Sequence, residues 1–146
     1  MKLSTKGRYG VKAMFELALN HGLDPLSIKT IAERQNISEY YLEQLFSGLR
    51  KAGLVKSIRG AQGGYILARE PQNITASDIL NVLEGPIEIS ECIEEEGSHT
   101  CDRASCCSTR LLWRRISDSV NSVITTTTLQ DMVDEYNNMV AMKKGE

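Results

Sequence analysis

The chain has 146 residues, enough for one domain or for one domain with an appendage. A hydrophobic fraction of 41% and a charged fraction of 25% are typical of a globular protein, and no apolar run is long enough for a membrane span. The N-terminus lacks the apolar core of a secretion signal, so we expect a cytoplasmic protein without a membrane partner.

The net charge of −2 conceals an uneven distribution. Residues 1–75 carry eleven Lys or Arg and six Asp or Glu, a net charge of +5, whereas residues 76–146 carry six and thirteen, a net charge of −7. A basic first half indicates a polyanionic partner for that half. A chance distribution of surface charge would look the same, so charge alone leaves both interpretations open.

The sequence predicts a first helix that begins at Ser4 or Thr5, followed along the chain by two short helices joined by a tight turn. Ser27 is a suitable N-cap for the second helix and Ser38 for the third, which Gly53 ends. Only two or three residues separate the second and third helices. Such a close pair predicts a helix-turn-helix.

A β-hairpin is predicted directly after this pair, because the strand-like runs LVKSI and YILAR flank the Gly-rich loop RGAQGG. A hairpin in this place is the layout of a winged helix, in which the hairpin is the wing. Thr75 and Asp78 then form a capping box that opens a further helix, and Gly85 and Pro86 end it.

Two more helices are predicted in the last part of the chain. One begins near Ser108 and stops in the Thr run 125–128, since β-branched residues are poor helix formers, and Thr128 can cap the other. We therefore expect a mainly α fold with a small β-hairpin wing. Its parts are a winged helix-turn-helix at 1–84, a Cys-rich loop at 85–107 and two helices at 108–146.

The third helix supplies the candidate base contacts, because the second helix of a helix-turn-helix lies in the major groove with its N-terminal residues at the base edges. The candidates are Ser38, Glu39, Tyr40, Glu43 and Gln44. A Gln side chain can pair with adenine, and a carboxylate can accept from cytosine N4, so Glu43 would reject sites without that cytosine. A solvated helix face explains Glu43 alone almost equally well.

The predicted wing and the surrounding basic residues complete the candidate interface. Arg59 beside Gly60 suits a narrow minor groove, and Gly63 and Gly64 would let the backbone approach phosphate, although an ordinary hairpin turn has the same residues. Further interface candidates are Tyr9, Tyr41 and Ser57, and the candidate phosphate contacts are Lys6, Arg8, Arg50, Lys51 and Lys56. Together these features favour DNA binding over a solvated basic surface.

All four cysteines lie in one acidic stretch, CIEEEGSHTCDRASCC, at positions 92–107. In a reducing compartment such a cluster favours metal or redox chemistry over structural disulfides. A zinc site is the weaker metal reading, since no Cys-x2-Cys pair is present, and a thiol switch stays open. A thiol-dependent enzyme is disfavoured, because the chain has only His21 and His99 as histidine bases and no Cys-x-x-Cys.

Three stretches, MKLSTKGRYGVKAM, ISEYYLEQLFSGLRKAGLVKSIRGAQGGYIL and ITASDILNVLEGPI, resemble the Rrf family of bacterial winged-helix transcription regulators. The resemblance covers about residues 1–136. It implies a homodimer joined through the long helix that contains Trp113, with one recognition helix and one wing per half-site of the operator. It also implies that Glu43 helps to discriminate between DNA sequences and that Arg59 enters the minor groove.

Two types within the family are similar to different parts of this chain. SEYYLEQL and KAGLVKSIRGA look close to the cysteine-metabolism repressor type, which lacks the cysteine cluster. The cysteine stretch instead resembles the iron–sulfur regulator type, in which three cysteines and one other residue hold a [2Fe–2S] cluster. That resemblance implies Cys92, Cys101 and Cys107 as ligands, although eight residues separate the first two here instead of five.

The fourth ligand stays open, because Arg110 stands where the family has a ligand histidine and an Arg side chain remains protonated. Cys106, His99, a carboxylate or a residue of the partner subunit are the alternatives. A [4Fe–4S] cluster also occurs in the family. We expect a repressor of cluster-assembly genes under cluster control. The alternative is a cysteine-metabolism repressor that senses through a partner enzyme, cysteine synthase, or through thiol oxidation.

Overall fold

The computed structural model describes residues 3–87, 89 and 108–145. Its elements in chain order are α1 (Thr5–Leu19), α2 (Ile28–Gln35), α3 (Glu39–Lys51), β1 (Val55–Ile58), β2 (Gly64–Leu67), a 3-10 turn (Pro71–Asn73), α4 (Ala76–Glu84), α5 (Ser108–Thr126) and α6 (Leu129–Lys144). The predicted mainly α fold with a two-stranded hairpin is confirmed. None of the described helices is long and apolar enough to cross a membrane.

Side-chain caps begin four of the helices where the sequence predicts them. The hydroxyl of Ser27 accepts from the backbone amide of Thr30 at 3.1 Å, and the hydroxyl of Ser38 accepts from the backbone amide of Tyr41 at 3.1 Å. Capping boxes begin α4 and α6, at Thr75 and Thr128. Each cap satisfies a backbone donor that the helix itself leaves free, which explains why these boundaries can be predicted locally.

Helix α1 starts where the sequence predicts, with Ser4 at the N-cap position and Thr5 as its first residue. The Ser4 side chain makes no cap hydrogen bond within the helix. Its hydroxyl donates instead to the carboxylate of Glu84, at the end of α4. The partner is 80 residues away in the chain, so no local pattern could predict it.

The core lies where α1, the helix pair α2–α3 and the hairpin meet. Its fully buried side chains include Met14 of α1, Ile31 of α2, and Leu42, Phe46 and Leu49 of α3. Burying each of these large apolar side chains is worth about 1.5–3 kcal/mol. The turn between α2 and α3 is tight because Asn36 adopts a left-handed conformation with φ of 54°.

The hairpin is antiparallel, with Val55 opposite Leu67 and Ile58 opposite Gly64. Strand β2 also pairs with Leu26 through its residue Tyr65. The amide of Leu26 donates to the carbonyl of Tyr65 at 3.1 Å, and the carbonyl of Leu26 accepts from the Tyr65 amide at 2.7 Å. This pairing attaches the wing to the segment that precedes α2. The orientation of the wing is therefore tied to that of the helix-turn-helix.

The N-terminal ends of α4 and α6 lie side by side. The amide of Ala76 donates to the carbonyl of Thr127 at 2.9 Å, and the amide of Leu129 donates to the carbonyl of Ile74 at 2.9 Å. The hydroxyls of Thr126 and Thr127 bond back to carbonyls four residues earlier in α5. This exchange of hydrogen bonds joins the two C-terminal helices to the first part of the fold.

Candidate nucleic-acid interface

Helix α3 separates a buried face from an exposed one. Leu42, Leu45, Phe46 and Leu49 point into the core. Tyr40, Glu43 and Gln44, three and four residues apart, share the exposed side, where Tyr40 is 73% accessible. The predicted base-contact residues therefore lie together on one free surface at the N-terminal end of the helix.

Tyr41 and Tyr9, two further interface candidates, contact each other rather than standing free. Their rings meet edge to face, with centroids 5.7 Å apart and planes at 84°. The ammonium group of Lys12 lies 5.7 Å from the centre of the Tyr9 ring. Both tyrosines are half-buried, so only part of each ring is accessible. Their contact packs α1 against α3 and supports the orientation of the candidate interface.

The tip of the wing presents Arg59 and Gly60, both exposed. Gly60 has a φ of +110°, a conformation that L side chains rarely adopt. The loop therefore turns tightly and leaves the Arg59 side chain accessible for a groove.

Gly63 and Gly64, the other two wing glycines, are required by close backbone packing within the protein itself. A Cβ on Gly63 would lie 2.1 Å from the carbonyl oxygen of Ile58, and one on Gly64 would lie 2.3 Å from that of Leu26. Close backbone packing thus explains both positions without a phosphate. A contact of Gly64 with DNA remains a prediction.

The candidate phosphate contacts are exposed and come from three elements. Lys6 and Arg8 lie on the first turn of α1, Arg50 and Lys51 at the end of α3, and Lys56 on β1 beside Ser57. Phosphate contacts from separate elements would fix the register of the recognition helix on a duplex.

A buried carboxylate missing from the predicted site ties α1 to the helix-turn-helix. Glu16 is 8% exposed, and its carboxylate accepts from the side-chain amide of Gln35 at 2.6 Å and from the guanidinium of Arg34 at 3.4 Å. It holds the last turn of α2 against α1. The signal in the sequence is an acidic residue between the apolar positions Ala13 and Leu17.

The predicted cluster ligands Cys92, Cys101 and Cys107, with Cys106 and His99, lie outside the described residues. Residues 3–87, 89 and 108–145 contain no group of three or more His, Cys, Asp or Glu side chains that could hold a metal ion. Arg110 lies in the first turn of α5. The donor set of the sequence, four thiols and one imidazole in one short stretch, suits an iron–sulfur cluster.

The fold and the exposed face of α3 define a winged-helix protein of the DNA-binding class. The sequence profile of the Rrf2 family, described as an iron-dependent transcriptional regulator, matches residues 3–135. The chain therefore belongs to the Rrf2 family. The resemblance seen in the sequence is confirmed.

Relatives of both types are similar over nearly the whole chain. The HTH-type transcriptional regulator CymR of Bacillus subtilis is 55% identical over 132 residues, covering 90% of this chain and 89% of the relative. The HTH-type transcriptional regulator IscR of Escherichia coli is 40% identical over 134 residues, covering 92% and 81%. These relatives are regulators rather than enzymes, as predicted.

Solved structures support the same fold. The structure of CymR, the global cysteine regulator of B. subtilis, matches with a TM-score of 0.80 and 52% identity, covering 92% of this chain and 98% of that one. T. potens IscR matches with a TM-score of 0.75 and 48% identity, covering 93% and 88%. The winged-helix architecture is thus shared with regulators of both types.

Proposed function

We propose that this transcriptional regulator binds its operator as a homodimer and that an iron–sulfur cluster on the cysteine stretch controls that binding. The observation that carries the proposal is the confinement of all four cysteines to the stretch between α4 and α5. That stretch links the winged helix to the long helix predicted to form the dimer. The similarity to IscR supports the same assignment.

The residues that would hold the cluster are Cys92, Cys101 and Cys107, with the fourth ligand open between Cys106, His99 and another group. When bound, a [2Fe–2S] cluster supplies a redox-active centre that can be lost under oxidation. A fourth ligand other than thiolate makes such a centre easier to tune, which suits a sensor. Cluster-assembly genes are the proposed targets, under repression, and cluster-assembly proteins the proposed donors of the cluster.

Operator recognition rests on side chains that the structure leaves exposed. Helix α3 would enter the major groove with Tyr40, Glu43 and Gln44 at the base edges. Arg59 would enter the minor groove, where narrow A·T-rich segments concentrate negative potential. In a twofold dimer, the two recognition helices would lie about one helical turn of DNA apart, roughly 34 Å.

Dimerisation through α5 is supported by its uncovered apolar face. No residue of α5 is buried within the described chain, and Leu112, Ile116 and Val123 are 48%, 37% and 62% exposed. Ile116 follows Leu112 by four residues and Val123 follows Ile116 by seven, so the three side chains form one stripe. A second copy of α5 would remove this stripe from water.

A cysteine-responsive repressor without a cluster is the second candidate. The 55% identity to CymR and the 52% identity to the solved global cysteine regulator favour it. The crystal structure of the oxidized form of Staphylococcus aureus CymR is also similar, with a TM-score of 0.74 and 42% identity. In that case the cysteines of this chain would act as a thiol switch or cysteine synthase would carry the signal.

The first experiment is to purify the protein without oxygen, record its visible spectrum, and measure iron and acid-labile sulfide. A coloured protein with equal iron and sulfide would support the cluster, and the stoichiometry would separate [2Fe–2S] from [4Fe–4S]. A colourless protein that reconstitution with iron and sulfide does not load would favour the cysteine-responsive repressor.

The second experiment compares a variant carrying Cys92→Ala, Cys101→Ala and Cys107→Ala with the single variant Cys106→Ala. We expect the triple variant to fold, to lose iron and to bind operators alike with and without oxygen. The single variant tests whether Cys106 is the fourth ligand. Identical footprints for the triple variant and the loaded protein on every operator would refute control of DNA binding by the cluster.

A further inference from the structure

The N-terminus of α1 is capped by a side chain from another helix. The amide of Ser4 donates to Oε1 of Glu84 at 2.5 Å, and the Ser4 hydroxyl donates to the same oxygen. Helix α1 has no acidic residue in its first turn and no cap from its own N-cap side chain. Glu84 therefore supplies both the hydrogen-bond acceptor and the negative charge that a helix N-terminus favours.

The contact is part of a close fit between α1 and the end of α4. A Cβ on Gly7 would lie 2.7 Å from Oε1 of Glu84, and one on Gly10 would lie 2.0 Å from Cδ1 of Leu83. Both glycines are buried. The side chains of the last turn of α4 therefore pack directly on the backbone of the first turns of α1, and a side chain at either glycine would have to displace them.

The same turns of α1 also carry candidate interface residues. Lys6 and Arg8 are exposed, and Tyr9 meets Tyr41 of the recognition helix with ring centroids 5.7 Å apart. A displacement of the start of α1 would move the two candidate phosphate contacts and would loosen the Tyr9–Tyr41 contact. The carboxylate of Glu84 is thus connected to the candidate DNA-facing residues through α1.

We propose that Glu84 is a positioning residue for operator binding, whose carboxylate caps α1 and holds Lys6, Arg8 and Tyr9 in the geometry that DNA requires. The inference rests on the proposed DNA-binding function. It adds a determinant outside the recognition helix and the wing.

The test uses the full-length protein, purified without oxygen, and an operator duplex selected from a random library by the wild-type protein. We expect Glu84→Ala to bind this duplex about 5- to 30-fold more weakly, because DNA binding must then order the start of α1 at the cost of the lost cap. Glu84→Gln keeps an acceptor oxygen of the same shape, so we expect it to bind within about threefold of wild type.

A matched control removes the N-cap of α4, the helix that carries Glu84 at its other end. Thr75→Ala deletes the hydroxyl that accepts from the amide of Asp78 at 3.1 Å. We expect it to lower thermal stability about as much as Glu84→Ala and to leave operator affinity unchanged at a temperature where all variants are folded. Ser4→Ala, which removes only the hydroxyl donor, should weaken binding by about 2- to 5-fold.

The outcomes separate this inference from the proposed function. If selection with the wild-type protein recovers no bound duplex, DNA binding itself is wrong. If the wild-type protein binds, three results would show that Glu84 does not position α1 for DNA. Glu84→Ala could bind the operator as tightly as wild type or more tightly, or Glu84→Gln could lose as much affinity as Glu84→Ala. The third result is that Thr75→Ala weakens operator binding as much as Glu84→Ala does. If Glu84→Ala does not fold, Ser4→Ala decides, and wild-type affinity for that variant overturns the proposal.

Discussion

Glu43 lies on the exposed side of the recognition helix, one turn from Tyr40, and its carboxylate makes no hydrogen bond or ion pair with the residues that the structure describes. A negative charge beside DNA phosphates is unfavourable unless a base donor meets it. We expect Glu43→Ala to lose about 1–3 kcal/mol of discrimination between operator variants while its affinity for non-operator DNA stays the same or rises slightly. Fluorescence anisotropy across single-base operator variants measures this difference.

The control for Glu43 is Glu33→Ala, which removes an exposed carboxylate from α2, outside the predicted base contacts. It should alter affinity for all duplexes alike and leave the base preference in place. An unchanged base preference in Glu43→Ala would identify Glu43 as part of a solvated helix face.

Arg59 and Lys56 are both exposed on the wing, and we expect them to contribute differently. Arg59→Ala should weaken binding most strongly where the operator has a narrow A·T-rich minor groove. Lys56→Ala should weaken binding uniformly and lower the dependence of log affinity on log salt concentration by about one. Titrations on A·T-rich and G·C-rich duplexes at several salt concentrations distinguish the two effects, and equal losses on all duplexes would contradict the role of Arg59.

At the scale of elements, the hairpin is held by a backbone contact with no room for a Cβ. Gly64 has a φ of +156°, and its missing Cβ would lie 2.3 Å from the carbonyl oxygen of Leu26. We expect Gly64→Ala to destabilise the protein by at least about 1–3 kcal/mol and to displace the wing. Thermal unfolding measures the first effect, and hydrogen exchange at the Leu26–Tyr65 pair measures the second.

The matched variant for Gly64 is Gly48→Ala, in the middle of α3. A Cβ at Gly48 meets no atom within 4 Å among the described residues, and the position is helical. We expect it to stabilise the protein by about 0.5–1 kcal/mol, because alanine loses less backbone entropy in a helix than glycine. Equal effects of the two substitutions would show that the contact with Leu26 does not matter.

At the scale of the whole molecule, the stripe on α5 is exposed among the described residues, and the proposed second copy would cover it. We expect Ile116→Glu to dissociate the proposed dimer and to weaken operator binding by more than about 100-fold, because a buried charge without a partner is costly and one half-site binds alone. Sedimentation velocity at micromolar concentration checks the mass. Asn121→Glu, outside the stripe on the same helix, should remain dimeric, and a monomeric wild-type protein would contradict the proposal.

The local signals of the sequence were sufficient for most of the architecture. Four caps, at Ser27, Ser38, Thr75 and Thr128, could be predicted because a cap hydrogen bond joins residues about three apart. Apolar periodicity likewise predicted the buried face of α3. Local reasoning also places the start of α1 at Ser4 or Thr5, but it cannot identify the capping partner there, a carboxylate 80 residues away.

By itself, the sequence determined the order of helices and hairpin, the exposed polar end of the recognition helix and the grouping of the four cysteines. Each of these follows from neighbours along the chain, through periodicity, caps or spacing. Only the tertiary structure decided that Glu84 caps α1, that Glu16 is buried against α2 and that Gly64 packs on Leu26. These contacts arise when distant segments fold together, and the burial and close approach that they require are properties of the assembled core.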